Sequence, residues 1–325
     1  MAGERWLQQA SVGKEVTEGA AVVATRRLYV AGDFTRVRAQ NMIEVSTGTR
    51  DNQRDAKLRA VAAGAKLTMP LGADEIVEWL LGSIQGGATP VTALGASTWT
   101  FKPGNAIDPQ TYEYYDGYRS WQLRGAKLDE LKLSGVVDGD TKAEATLFGR
   151  ELATGVTLAT VTDRVPNFIQ GWELQLYVDA FGGTPGTTLV PGTIISWEVN
   201  IKNNLARKYY GDNTQATGDV KLGKLDVQLT ATLEGAASAL AEYNNWDNNT
   251  KRLVRLQLGN NGAAIGTSVL KPQITVDVPL AWGAVDLSPE DKGTKVYKFT
   301  GNYIYDPTNA YGIQVKLQNA RATAY

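Results

Sequence analysis

The sequence predicts a mainly β, predominantly antiparallel protein built as two tandem copies of one unit. Three observations carry this. Apolar residues alternate with polar ones along many short segments, as in Ile195, Trp197, Val199 and Ile201 against Ser196, Glu198, Asn200 and Lys202, which is the pattern of a sheet with one buried and one wet face. Turn residues punctuate these segments. The same succession of strand, polar charged loop, strand and short amphipathic helix runs from about Met42 to Ile84 and again from about Ile194 to Trp246.

The registers of the two copies agree. Leu67-Thr68-Met69-Pro70-Leu71 precedes the first helix and Leu229-Thr230-Ala231-Thr232-Leu233 the second, 229 − 67 = 162 residues later. Further alternating runs occur at Ala143-Ala145-Leu147, Trp172-Leu174-Leu176-Val178, Leu225-Val227-Leu229, Ile274-Val276-Val278-Leu280 and Ile313-Val315-Leu317. Asp138-Gly139 between Leu133 and Leu147 marks a hairpin. With Asp140 it could also be read as a calcium loop, but the further oxygen ligands and downstream Glu of such a loop are missing, so the hairpin tip is favoured.

The first helix places Ile76, Trp79 and Leu80 on one face with Glu75 and Glu78 on the other and stops at Gly86-Gly87; the second places Ala236, Leu240 and Tyr243 together before Asn244-Asn245. The Gly182 to Gly186 stretch reads as a hairpin inside the second unit, and the break in periodicity at Thr162 to Asn167 puts the boundary between residues 1–163 and 164–325.

Composition limits the chemistry. The 325 residues contain no Cys and no His, which removes thiolate and imidazole metal sites, disulfides, Cys nucleophiles and His-based triads. No phosphate-cradling glycine loop or dinucleotide fingerprint is present, so neither an enzyme nor a cofactor is expected. Thirty-three Lys and Arg against thirty-four Asp and Glu give a formal net charge of −1, which does not recruit the whole chain to nucleic acid. Met1-Ala-Gly-Glu-Arg-Trp6 does not begin a secretory signal, and no apolar run approaches the ~20 residues of a membrane span. No membrane insertion is expected.

Two loops are longer and more charged than a hairpin needs. Thr47 to Lys57 carries Arg50, Asp51, Arg54 and Asp55; Asn203 to Lys221 carries Arg207, Lys208, Tyr209 and Tyr210. Their matching places in the two copies suggest arms that dock on neighbouring copies, the alternative being solvated loops. A cluster from Tyr112 to Trp121 could stack on sugars or pack at a sheet edge. Asp129 and Glu130 fall on opposite faces of a strand and cannot jointly flank a glycosidic bond.

The opening Gly13-Lys14-Glu15-Val16-Thr17-Glu18-Gly19-Ala20, the polar arm through Arg50 and Arg54, the helix Ala73 to Ser83 and the strand-hairpin-strand run Trp121 to Gly149 resemble the tail tube, or major tail, proteins of long-tailed, siphovirus-type bacteriophages, in the group with two tube domains per chain. The resemblance implies two tandem β-sandwich tube domains, each with a flanking short helix, whose inner sheets join into a ring-shaped barrel. Three copies would then make a homotrimeric, pseudo-hexameric ring, and rings would stack into a virion tail tube assembled in the host cytoplasm. It implies tape measure and tail tip or terminator proteins as partners and DNA passing through the lumen without specific binding. Acidic residues on wet strand faces, Glu144 and Asp226 for example, would line that lumen, with Arg50, Arg54, Arg207 and Lys208 serving stacking. The alternatives are a β-sandwich carbohydrate-binding or adhesin-like module using the tyrosine cluster, and a carboxylate-based hydrolase.

Overall fold

The computed structural model describes residues 7–325; the Met1–Trp6 segment lies outside them. The first half runs β1 (Gln9–Lys14), β2 (Arg26–Leu28), β3 (Ala31–Glu44), β4 (Gln53–Pro70), α1 (Val77–Leu81), β5 (Val91–Ala93), β6 (Ala96–Phe101), β7 (Gln110–Tyr115), β8 (Ser120–Val136), β9 (Thr141–Gly149) and β10 (Glu151–Thr154). The second runs β11 (Leu174–Ala180), β12 (Leu189–Val190), β13 (Ile194–Lys202), β14 (Ala206–Lys208), β15 (Asp219–Lys221), β16 (Asp226–Glu234), α2 (Ala237–Asp247), β17 (Arg252–Gly259), β18 (Gln273–Asp286), β19 (Glu290–Asp291), β20 (Thr294–Tyr303) and β21 (Gln314–Asn319).

All the strand pairs are antiparallel, and their order in the first half recurs in the second. In the first half β3 pairs β4, β4 pairs β9 and β9 pairs β8. In the second, β13 pairs β16, β16 pairs β20 and β20 pairs β18. The two four-stranded sheets join where β8 pairs β13, from Glu130↔Lys202 to Val136↔Ser196. One inner sheet of eight strands results, in the order β3-β4-β9-β8-β13-β16-β20-β18. β8 and β18 are long enough to continue into a second layer. There β8 meets β7 and β10, with β1 and β2 beyond β7. β18 meets β17 and β21, with β11 and β12 beyond β17. Each half is therefore a β-sandwich sharing one bent strand between its layers, and the inner sheet stays open rather than closing into a barrel.

Alternation decides which face is which. Ala63, Ala65, Leu67 and Met69 of β4, Leu131 and Leu133 of β8, Trp197, Val199 and Ile201 of β13 and Val227, Leu229, Ala231 and Leu233 of β16 are buried and belong to one core that spans both halves. The residues between them face water. A one-residue slip anywhere in this sheet would exchange the two sets, so the core pins the register.

The halves are also stitched together. β6 of the first half pairs β21 of the second, and the chain then returns across α1. There Arg321 donates to the Glu78 carboxylate at 2.5 and 3.0 Å, Trp99 Nε1 donates to the Asn319 Oδ1 at 3.2 Å, and Gln110 Nε2 donates to the Tyr325 hydroxyl at 2.7 Å. This corrects the helix expected over Ala73 to Ser83 with a wet Glu75/Glu78 side. The helix spans only Val77–Leu81, Gly82 ends it, and both glutamates are buried because the returning tail supplies Arg321 and the 164 region supplies Arg164. Amphipathic spacing cannot reveal a partner contributed more than two hundred residues later.

The second helix differs too. α2 buries Ala239 and Glu242, while Leu240 faces solvent and the helix runs through Asn244-Asn245 to Asp247. Glu242 is the reason: its carboxylate accepts from Trp282 Nε1 at 2.9 Å and pairs with Arg252 at 3.1 Å, turning the polar side of the helix inward. The Asp138-Gly139 tip joins β8 to β9 and the Gly182 to Gly186 turn joins β11 to β12, as their sequences imply.

Glu75 sits beside Asp74, Arg164, Glu78 and Arg321, and burial pushes its carboxyl up to about 7 against the opposing pull of Arg164. The folded chain then holds this proton more tightly than the unfolded one, so the contribution is fully present below the ordinary carboxylate pKa and is lost as pH rises through about 7. A shift of this size sets an upper bound of roughly 3 kcal/mol. Thermal unfolding from pH 5 to 8 should show the wild type losing stability relative to Glu75→Gln as pH rises; parallel curves would contradict it.

Candidate assembly surface

Beyond the sheet, β3 and β4 continue as a two-stranded arm. From Arg36 to Ala60 its residues are exposed or half-exposed, and only β4 residues from Ala63 onward have β9 as a second neighbour. Arg50 and Asp51 occupy the arm's tip loop. Arg54 and Asp55, expected in a loop, lie on β4, because the strand begins at Gln53. At the tip Arg54 Nη2 donates to Thr47 Oγ1 at 2.8 Å, and Asp55 meets Lys57 at 2.9 Å, a hydrogen bond that lowers the Asp55 pKa. None of these four residues touches the body of the protein through a hydrogen bond or ion pair shown by the described residues.

The second arm behaves differently. Beyond β13 the chain bends at Asn203 and Asn204, forms the small β14–β15 hairpin, and lies back on the first half. Asn203, buried, donates through Nδ2 to the carbonyls of Ser83 and Leu128, both at 2.8 Å. Arg207 places its guanidinium 3.7 Å from the Phe148 ring centroid and donates to the Ala63 carbonyl at 2.9 Å, and burial lowers its pKa. Val61 N–H donates to the Gln215 carbonyl at 2.7 Å, and Lys127 Nζ donates to the Val220 carbonyl at 2.9 Å. Arg207 was grouped by sequence with projecting residues; here it is engaged within its own chain. Lys208, Tyr209 and Tyr210 stay exposed on the hairpin's outer side.

The wet face of the inner sheet carries five lysines and no arginine, and every lysine has a carboxylate beside it. Lys132 meets Glu198 at 2.8 Å, Lys142 meets Glu144 at 2.6 Å and Lys202 meets Glu130 at 3.4 Å. Lys66 lies opposite Asp33, and Lys298 opposite Asp286. Hydrogen bonding to these partners raises the Lys132 pKa and lowers that of Glu144, so both stay ionised at neutral pH. Asp226 and Glu234 add two more carboxylates, giving seven against five. Glu144 and Asp226 share this face, and Glu144 is paired with Lys142.

Both ends of the inner sheet are open. The outer edge of β3 has no partner strand among the described residues, and neither does β18 from Ala281 to Asp286 on the side that β13 occupies in β8. Beside the β3 edge a cavity of about 650 Å³ opens between Tyr29, Val30, Met69, Thr141 and Phe168. The corresponding place in the second half, beside Trp197 and Thr232, is walled by Gly135 and Val136 of β8.

A model of the phage tail tube protein family matches residues 7–295. The chain belongs to that family. It is a structural component of a bacteriophage tail tube. A search of curated proteins finds no match. No helix among the described residues is long and apolar enough to cross a membrane, and no group of three or more carboxylates among them is close enough to hold a metal ion, Asp138 and Asp140 included. Of the two readings of the tyrosine cluster, sugar platform or sheet-edge packing, the structure shows packing for most of it: Tyr112 and Tyr114 are buried, Trp121 Nε1 donates to Asp116 at 2.7 Å, and Tyr118 alone of the four tyrosines is fully open.

The Arg207 contact gives a direct test of the second arm's role as a clamp. Arg207→Ala should cost about 2 kcal/mol through the lost cation–π contact and the unpaired Ala63 carbonyl. Arg207→Lys should recover little of it, because an ammonium cannot stack as a planar guanidinium does. Unchanged thermal unfolding in both variants would show that the hairpin is not held there.

Proposed function

We propose that three copies of this chain close into a pseudo-hexameric ring, that rings stack into the hollow tail tube, and that DNA passes through the lumen without being bound. The observation that carries this reading is the β8–β13 seam. It joins two like sheets edge to edge within one chain, and the two free edges are the same strands one repeat on: β18 corresponds to β8 and β3 to β13. Repeating the seam between copies removes every open edge of the inner sheet, which would otherwise template uncontrolled pairing.

The repeat also gives the register. Leu67 lies opposite Gly32 and Leu229 opposite Val199, so Thr35 corresponds to Lys202 and Phe34 to Ile201. On the other strand Ala145 lies opposite Leu131 and Gly301 opposite Trp282, so Ala281 corresponds to Glu130. The seam pairs Glu130 with Lys202, hence Ala281 of one copy with Thr35 of the next, and Trp282 with Phe34. The partly buried Val30 and Phe34 and the buried Trp282 then fall on the core side, and the end of β18 enters the cavity beside Tyr29 and Met69.

In such a ring the wet face lines the lumen. Three of its lysines are held by carboxylates, the other two lie opposite one, and its net charge is negative, so a polyanion finds few cations to neutralise its phosphates and slides rather than sticks. The role is structural, with no catalysis and no cofactor. Residues 1–163 and 164–325 serve as the two tube domains, assembled in the host cytoplasm, with tape measure and tail tip or terminator proteins as partners. The packed tyrosine cluster disfavours the carbohydrate-binding alternative.

Because the chain has no cysteine, the register can be read chemically. Thr35→Cys with Ala281→Cys should oxidise into covalent species ending at three chains, whereas Asp33→Cys with Ala281→Cys should not. Monomers alone from the first pair would contradict the seam.

A further inference from the structure

The two halves carry residues of opposite size at one point beside the inner sheet's edges. Counting from Leu67 and Leu229 along the paired strands, Val30 corresponds to Trp197, Thr68 and Pro70 to Thr230 and Thr232, and Lys142 to Lys298. These residues line the two hollows, so the cavity of about 650 Å³ beside Met69 and the one of about 280 Å³ beside Trp197 are the same place in the two halves. In the second half β8 occupies that place. Gly135 pairs directly with Trp197, and a Cβ on Gly135 would stand 2.9 Å from the indole Nε1. The indole takes the room, and the strand crossing it has no side chain to place there. In the first half the smaller Val30 leaves the room open between Tyr29, Met69 and Phe168.

β18 carries the complementary change. Across a bulge at Gly283 it pairs β20 from Trp282↔Gly301 to Asp286↔Lys298, as β8 pairs β9 from Leu131↔Ala145 to Ser134↔Lys142. Since Lys298 corresponds to Lys142, Asp286 corresponds to Ser134 and the next residue, Leu287, to Gly135. Trp282 and Val285 pack on the core, and Leu287, two positions beyond Val285, belongs to the same set by alternation. In the single chain it is 37% exposed. Leucine thus stands where β8 has glycine, and valine where the chain entering β13 has tryptophan.

We propose that Leu287 of one copy fills the cavity beside Val30 of the next, and that this exchange of large and small residues keeps the internal and external seams from trading strands. The inference rests on the ring reading above. Offered to β13, Leu287 would run into the Trp197 indole, which leaves no space even for a Cβ at Gly135. Offered to β3, Gly135 would leave the cavity empty and its apolar walls without contacts. A chain with two like edges could otherwise exchange them between copies, β18 of a neighbour displacing β8 from β13. The size inversion makes each edge fit one partner, so copies add only second half to first half.

Four proteins, examined by mass measurement across a concentration series and by electron microscopy, test this: wild type, Val30→Trp, Leu287→Gly, and the two substitutions combined. The wild type should form rings. Val30→Trp should remain a monomer, because the indole takes the space that Leu287 needs, and should unfold no lower than the wild type, because the cavity has room for it. Leu287→Gly should need at least about tenfold more protein to form rings, the loss expected for one leucine left unburied. The combined variant, which copies the internal pairing of tryptophan with glycine, should form rings near the wild-type concentration. Within one chain β3 and β18 lie at opposite edges of the inner sheet, so this recovery can arise only from contact between chains, and misfolding of Val30→Trp would not be cured by it. Rings from Val30→Trp at the wild-type concentration, ring formation by Leu287→Gly equal to the wild type, or a combined variant no better than Val30→Trp alone would overturn the proposal. A wild type that forms no rings would instead defeat the ring reading on which it rests.

Discussion

The pairing of β8 with β13 is the constraint on which the rest of the molecule depends. It turns two small sandwiches into one eight-stranded inner sheet with a single buried face, and it fixes the height and tilt at which the second unit meets the first. Everything that distinguishes the halves is arranged around this join. The second arm braces it from one end, through Asn203 beneath β8 and Arg207 on Phe148, and the salt link between Lys292 and Asp138 ties the hairpin tips at the other. On the wet side, Lys132 with Glu198 and Lys202 with Glu130 cross it directly. Exposed pairs of this kind contribute little to stability, about 0–1 kcal/mol each. Their consequence is electrostatic: they leave no unpaired cation along the join.

Much of this was legible from residues alone. Period-two alternation found the inner strands and their buried faces, since a half-buried sheet forces that pattern, and Asp138-Gly139 found the central hairpin. The Leu67 and Leu229 segments lie on β4 and β16, which hold the same place in the two strand orders. What stayed hidden was whatever depends on distant chain. Glu75 and Glu78 read as the wet side of a helix because the arginines that satisfy them, Arg164 and Arg321, arrive from elsewhere. Leu240 was grouped with the buried face of the second helix for the same reason: Trp282 and Arg252, from distant strands, draw Glu242 inward instead.

The candidate surface was partly legible. Long charged loops at matching places drew attention to both arms, and the wet face could be placed through Glu144 and Asp226. Charge counting could not separate a free arm from a docked one, because Arg207 looks like Arg54 until Phe148 is seen beneath it. The signal that does separate them is small: Asn203, Asn204 and Gly223 where the first arm has Arg36, Val37 and Val61. The two arms thus differ in course, one folded back on its own chain and one straight, and the difference resides in three residues at the neck.

The central claim is that the seam inside the chain is repeated between chains. The mass of the smallest closed particle formed by the purified protein, measured alongside images down its axis, tests that claim most directly. The account predicts three chains around a hollow ring with six near-equivalent wall segments. A closed ring of six chains, or particles in which the β3 and β18 edges remain unpaired, would contradict it.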